Sequence, residues 1–241
     1  MIFARLLVDQ KNIKRRVLNS IEAGKPLLLT YFNQHCLNIY YKDETYKKLL
    51  DSKFEIYQAD LGIFLSLKVL WRKKINRIDA TAMNQMILKE LIINKTPLTI
   101  IGGKFDEQFI QEETAKRGIN LYEFQSGFFA EDQTENVIEH LSSSLSRVFM
   151  IGMGVPRQEL FAEKLSRTSD SRVIICVGNF FEFYFGANKR APVIIQKIGL
   201  EWMFRLFTEP RRLWKRYLIG IPVFIYRIIK LKFNGKNRSL L

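Results

Sequence analysis

The residues of this chain whose types and spacing invite chemistry gather in "IGMGVPRQELFAEKL", Ile151 to Leu165. An apolar run, "RVFMIG", stops at Gly152-x-Gly154, Pro156 follows, and Leu and Phe then recur at helical spacing. That order predicts a strand, a glycine loop and the first turn of a helix, with Gln158 and Glu159 in the turn. Backbone amides at such a turn suit an anion. The loop lacks the third glycine of a dinucleotide fingerprint and the Lys-Ser/Thr of a P-loop, so neither NAD nor a nucleoside triphosphate is indicated. Taken alone, a tight turn before a helix accounts for it. Gly102-Gly103 either lines the same edge or makes a turn. Asp60 in "YQADLGIF" reads as an N-cap. His35, two residues after Asn33, has no partner carboxylate recognisable in the sequence and reads as a strand-end residue that shapes a pocket. Cys36 and Cys176 are isolated, only His35 and His140 accompany them, and no D-x-D pair occurs. No metal or other cofactor is expected, and the cysteine usage fits a reducing compartment.

The elements that must position these residues alternate. "LLLTYF" (27–32), "KFEIYQA" (53–59), "PLTIIGG" (97–103), "INLYEF" (119–124), "RVFMIG" (147–152) and "RVIICVG" (172–178) read as buried strands, separated by helical patterns such as "ETYKKLLD" and "TENVIEHLSSSL". This predicts an α/β protein with a mostly parallel, Rossmann-like sheet flanked by helices, and ligands at the carboxyl ends of its strands. The 241 residues, 47% apolar, suffice for a real core.

Charge divides the chain. Of the net +14, residues 187–241 carry +11, from thirteen Lys and Arg against Glu201 and Glu209. Strand signals cease near Gly186, so residues 1–186 are expected to form the α/β domain and 187–241 a basic helical appendage. In the appendage the basic residues interleave with Leu213, Trp214, Tyr217, Leu218, Ile221, Phe224, Ile225, Ile228 and Ile229. That stripe fits a helix lying in an anionic membrane interface better than a nucleic-acid groove, and no nucleic-acid partner is expected. A cap over a hydrophobic pocket, or a partner subunit, fits it too. Pro222 is expected to kink or end a helix. The longest apolar run, Tyr217 to Tyr226, is too short to span a bilayer, and "MIFARLLVDQKNIKRR" lacks a signal-peptide pattern.

The downstream text "GNFFEFYFGANKRAPVIIQKIGLEWMFRLFTEPRRLWKRY" is not explained by packing alone. With the glycine loop it resembles the WecG/TagA/CpsF family of bacterial glycosyltransferases. The matching motifs are G-x-G-x-P-x-Q-E at Gly152 to Glu159, F-x-F-x-x-G at Phe181 to Gly186, R-A-P at Arg190 to Pro192, G-L-E-W-x-x-R-L at Gly199 to Leu206 and E-P-x-R-x-x-x-R-Y at Glu209 to Tyr217. The resemblance implies an inverting, metal-independent enzyme at the cytoplasmic face of the cell membrane, attached peripherally. It would move a sugar from a UDP-sugar donor to a polyprenyl-diphosphate-linked sugar acceptor. It also implies roles. Asp60 would be the general base, and Asn33 and Arg77 would contact substrate, Arg77 near the phosphates. Gly152, Gly154 and Gln158 would hold the donor, Gln158 reading sugar hydroxyls. Phe128 and Glu182 would meet the nucleoside, with core packing the other reading of Phe128. Arg211, Arg212 and Arg216 would bind membrane, substrate diphosphate, or both.

The sequence departs from the family pattern at five places. Leu61 separates Asp60 from Gly62, Tyr31 stands for a threonine, and Ala80-Thr81-Ala82-Met83 replaces G-x-D-L. Glu182 stands for aspartate and Phe128 for tyrosine. These departures imply altered hydrogen bonding at the nucleoside and altered substrate preference. The alternative is a non-catalytic, membrane-docked binding protein on the same fold, in which the altered Asp60-Leu61-Gly62 segment has lost turnover.

Overall fold

The computed structural model describes residues 2–71, 75–189, 191–197 and 199–233. Seven strands form one all-parallel sheet: β1 (Leu6–Leu7), β2 (Leu27–Phe32), β3 (Glu55–Gln58), β4 (Leu98–Gly102), β5 (Leu121–Gln125), β6 (Val148–Gly152) and β7 (Val173–Cys176), in the order β1-β3-β2-β7-β6-β4-β5. Six of these are the strands expected from the sequence. The seventh, β1, has only two residues and pairs Leu6 with Ile56 and Leu7 with Tyr57, too short a run to show a periodicity.

The central strands read as unbroken apolar runs because both of their faces are covered. Along β6, Phe149 and Ile151 join one core, and Val148 and Met150 the other. The first face is covered by α2 (Gln34–Tyr40), α3 (Glu44–Ser52), α4 (Leu61–Trp71), α7 (Thr134–Ser142) and α8 (Arg157–Ser166). The second is covered by α1 (Gln10–Glu22), α5 (Ala80–Ile93), α6 (Glu107–Lys116) and α9 (Phe180–Tyr184). Asp9, Asn33, Asp43, Asp79 and Asp106 cap α1, α2, α3, α5 and α6 with side-chain oxygens. Each satisfies amides that have no partner inside the first turn.

After α9 the chain is helical, as the loss of strand signals predicts: α10 (Val193–Lys197), α11 (Glu201–Thr208), α12 (Pro210–Trp214), a π turn at Lys215–Ile219 and α13 (Gly220–Phe233). Pro222 lies in the first turn of α13, directly after the π turn, so the local irregularity is the π turn and the helix continues beyond the proline. These helices return to the domain. Phe224 is 5% exposed within the first core, and α13 packs on α2, where the Asn38 amide donates to the Gly220 carbonyl (2.7 Å). No helix among the described residues is long and apolar enough to cross a membrane.

Candidate active site

Strand register brings the first two site residues together. Phe32 pairs with Gln58, so the loops leaving β2 and β3 begin at the same height, and the Ala59 amide donates to the Phe32 carbonyl (3.1 Å). Asn33 then caps α2, accepting from the His35 and Cys36 amides at 2.9 and 3.0 Å. Asp60 accepts from the Gln34 amide at Oδ2 (2.8 Å) and from the Ile63 amide at Oδ1 (2.7 Å). Asp60 therefore caps α4, as its sequence context predicts, and also ties the two loops to each other. Burial pushes its carboxyl above the ordinary aspartate value, although the two amides, Arg216 and Arg77 pull the other way.

Asn33 and Asp60 line a cavity of about 530 Å³ at the carboxyl edge of β2, β3 and β7. Three arginines enter it from separate elements: Arg77 from the segment before α5, Arg205 from α11 and Arg216 from the π turn. Each has its Nε buried with no hydrogen-bond partner among the described residues. Arg77 donates to the Gln196 carbonyl (3.2 Å), and the Arg205 guanidinium lies 5.4 Å from the Phe183 ring centroid. Buried Nε donors without protein partners, on guanidinium groups that carry full charge, suit an anion with several oxygens. His35 is held down to about 4, first by burial and then by Arg216, so it is neutral at neutral pH.

Gln158 and Glu159 lie elsewhere, fully buried beneath the sheet edge. Thr30 Oγ1 donates to Glu159 Oε1 (2.7 Å), Gln158 Nε2 donates to the same oxygen (2.8 Å), and Gln158 Oε1 accepts from the Gly178 amide (3.1 Å). Both ends of the Gln158 amide are thus engaged within the protein, and no polar atom of it faces the cavity lining. Burial pushes the Glu159 carboxyl up to about 7, against the pull of its bonds to Gln158 and Thr30, and its Oε2 has no partner among the described residues.

The glycines have two different uses. A Cβ at Gly102 would lie 2.4 Å from the Gly152 carbonyl oxygen, and one at Gly152 would lie 2.4 Å from that of Gly178. Side chains there would force the ends of β4, β6 and β7 apart. Gly154, at φ 78°, has nothing within 4 Å of the Cβ position, leaving the loop before α8 open to a ligand.

The remaining predicted residues are spread around this edge. Phe128 is 61% exposed, which removes the core-packing reading, and the Lys104 ammonium lies 4.9 Å from its ring centroid. Glu182, raised by burial, sits in the field of Arg212, Arg205 and Glu209. Arg211 and Arg212 are exposed, and Arg212 Nε donates to Glu209 Oε2 (2.7 Å). Arg190 of the R-A-P motif lies outside the described residues. Of the predicted set, the cavity unites Asn33, Asp60, Arg77 and Arg216. It adds Gln34, Asn179, Trp202 and Arg205, which had no assigned role. Arg205 and Trp202 belong to the G-L-E-W-x-x-R-L segment that packing did not explain. Asn179 follows β7 as Asn33 follows β2, a repeated signal for a residue at the ligand edge.

Among the described residues no group of three or more His, Cys, Asp or Glu is placed to hold a metal ion.

An open parallel sheet with a carboxylate and three arginines converging at its carboxyl edge defines an α/β protein whose site is suited in charge to an anionic ligand. A family model, the glycosyl transferase WecG/TagA/CpsF family, matches residues 5–238, nearly the whole chain. The chain belongs to this family of glycosyltransferases.

Proposed function

We propose that the protein is an inverting glycosyltransferase that moves a sugar, such as an N-acetylhexosamine or related hexose, from a UDP-sugar to a polyprenyl-diphosphate-linked sugar. Its product would feed cell-surface polysaccharide synthesis. The observation that carries this reading is the meeting of Asp60 with Arg77, Arg205 and Arg216 in one cavity. Asp60 takes the proton from the acceptor hydroxyl while that oxygen bonds to the anomeric carbon. The bond from that carbon to the UDP oxygen breaks with its electron pair on the leaving diphosphate. A carboxylate raised by burial is a better base near neutral pH than an ordinary one, and its two amide bonds fix its direction. Arginine side chains offset charge that develops on a diphosphate. The donor lies along the glycine edge, with Gly154 open beneath it and Phe128 and Lys104 beside it. Gln158 acts there through Gly178, as a positioning residue.

Residues 187–241 serve as a docking appendage on the cytoplasmic face of the membrane. Leu218, Tyr226 and Phe233 are 60%, 63% and 79% exposed on helical turns that also carry Lys215, Lys230 and Lys232. Such a surface suits anionic headgroups over hydrocarbon.

The test is a panel of UDP-sugars assayed for UDP release with a polyprenyl-diphosphate-linked acceptor. Acceptor-dependent release from one donor is the expected result. UDP-sugar binding without release from any donor would leave the binding-protein alternative.

A further inference from the structure

The cavity has two chemically different parts, and the base and arginines occupy only one of them. Asp60 precedes α4, and the residues of α4 that line the cavity are Leu61, Gly62, Leu65, Ser66 and Val69. Arg216 precedes α13, whose lining residues are Ile221, Phe224, Ile225, Ile228 and Ile229. Both sets recur at three- and four-residue spacing, so each forms one helical face that starts at a charged group and runs away from it. From Leu61 to Val69 that run is about 12 Å at 1.5 Å per residue.

Beyond Asp60 the only side-chain polar atom on these two faces is the Ser66 hydroxyl, which donates to the Gly62 carbonyl (2.8 Å). A sugar placed there would leave its hydroxyls without partners at a cost of about 1–3 kcal/mol each, so this part does not suit donor or acceptor sugar. Neither does it suit a free phosphate, which would stop at the arginines. Leu65 (47%), Val69 (58%), Ile225 (49%) and Ile229 (48%) are all partly exposed, leaving apolar surface for a hydrocarbon to cover.

We infer that this apolar half is a binding subsite for the first isoprene units of a lipid diphosphate, whose chain leaves the active site between α4 and α13. The charge pattern fits the head of such a molecule as the aliphatic rows fit its tail. Arg216, its Nε without a partner among the described residues, stands where the α13 face begins, and hydrocarbon side chains follow along both helices. The inference rests on the proposed lipid-diphosphate acceptor and deepens it: α4 of the catalytic domain, and not the appendage alone, recognises lipid. The protein would then select its acceptor by the hydrocarbon next to the diphosphate as well as by the sugar.

The test compares farnesyl diphosphate with methyl diphosphate, below micellar concentration and without membrane or detergent, by calorimetric titration of the full chain. Burial of a few isoprene units predicts at least about tenfold tighter binding of the farnesyl compound. Val69→Asn and Ile229→Asn, at partly exposed positions, should reduce that preference to below about threefold with helical content and melting temperature retained. Equal affinities in the parent protein overturn the inference. So does a Tyr226→Asn control, on the outer side of α13, that loses the preference as fully as Ile229→Asn. A parallel UDP-release assay uses acceptor sugars on the same two diphosphate esters and keeps the two readings apart. Transfer to both esters with equal KM would sink the subsite and leave the glycosyltransferase reading standing. Groove-dependent farnesyl binding with no transfer from any donor would do the reverse.

Discussion

Arg227 of α13 donates to both the backbone and the side-chain oxygen of Asn38 on α2, each at 2.8 Å. Asn38 returns a bond to Gly220, and the Arg227 guanidinium covers the Tyr41 ring at 5.3 Å. This clamp fixes the start of α13 and, through the π turn, the backbone that carries Arg216 into the cavity.

Asn38→Ala removes two of these bonds, the one to Gly220 and the side-chain one from Arg227, the latter involving a charged group and worth about 1.5–3 kcal/mol. The expected outcome is faster amide exchange in α13 and the π turn, with the central strands still protected. Asn38→Asp keeps an acceptor for Arg227 and should retain most of the protection. Unchanged exchange in the alanine variant would remove the clamp from the account.

Asp60→Asn should lower turnover by roughly 10²- to 10⁴-fold, the usual worth of a positioned base, with UDP binding close to that of the parent. The amide has one acceptor oxygen for two backbone donors, so melting temperature should fall slightly as well. Near-normal turnover in a folded variant would leave Asp60 as a cap and a tie between loops.

The arginines of the "EPRRLWKRY" segment should separate by position. Arg216→Ala should lower kcat/KM at least about tenfold on a water-soluble acceptor, because its guanidinium lies in the cavity. Arg211→Ala and Arg212→Ala face solvent and should weaken binding to anionic vesicles by about 1 kcal/mol each, with strong salt dependence. Equal effects of all three on the soluble acceptor would contradict this division.

Chelation should change turnover less than about twofold, because arginine donors rather than a divalent ion offset the leaving charge. Loss of activity in EDTA with recovery in Mg²⁺ or Mn²⁺ would overturn that assignment.

Glu159 should make stability fall as pH rises. Its carboxyl titrates near 7 when folded and near 4.5 in an ordinary setting, so the folded state binds the proton more tightly. The stability this contributes is complete below about pH 4.5 and lost as pH rises through 7, at most about 3 kcal/mol across that window. Glu159→Gln keeps the acceptor oxygen for Thr30 and Gln158 and should flatten the profile. Parallel melting curves for variant and parent from pH 5 to 8 would place the titration elsewhere.

Six strands, the switch to helices after Gly186 and the cap at Asp60 follow from local signals: apolar runs, glycines at strand ends, and a short polar residue before a helix. So did the family, because its motifs are short stretches of chain read one at a time. The sequence also marked Gln158 and Glu159 as unusual, but local pattern does not say which way a side chain points. Packing of α8 turned both under the sheet, where they bond Thr30 and Gly178 across long separations. Likewise the charge count marked residues 187–241 as one basic block. Only the return of α13 onto α2 sorted that block into a cavity arginine, Arg216, and exposed ones, Arg211 and Arg212. The cavity itself was not legible, since it joins the ends of β2 and β3 to β7 and to helices that all come more than about 100 residues later in the chain. Such proximity depends on how layers pack, a balance summed over the whole core, and no window of sequence contains it.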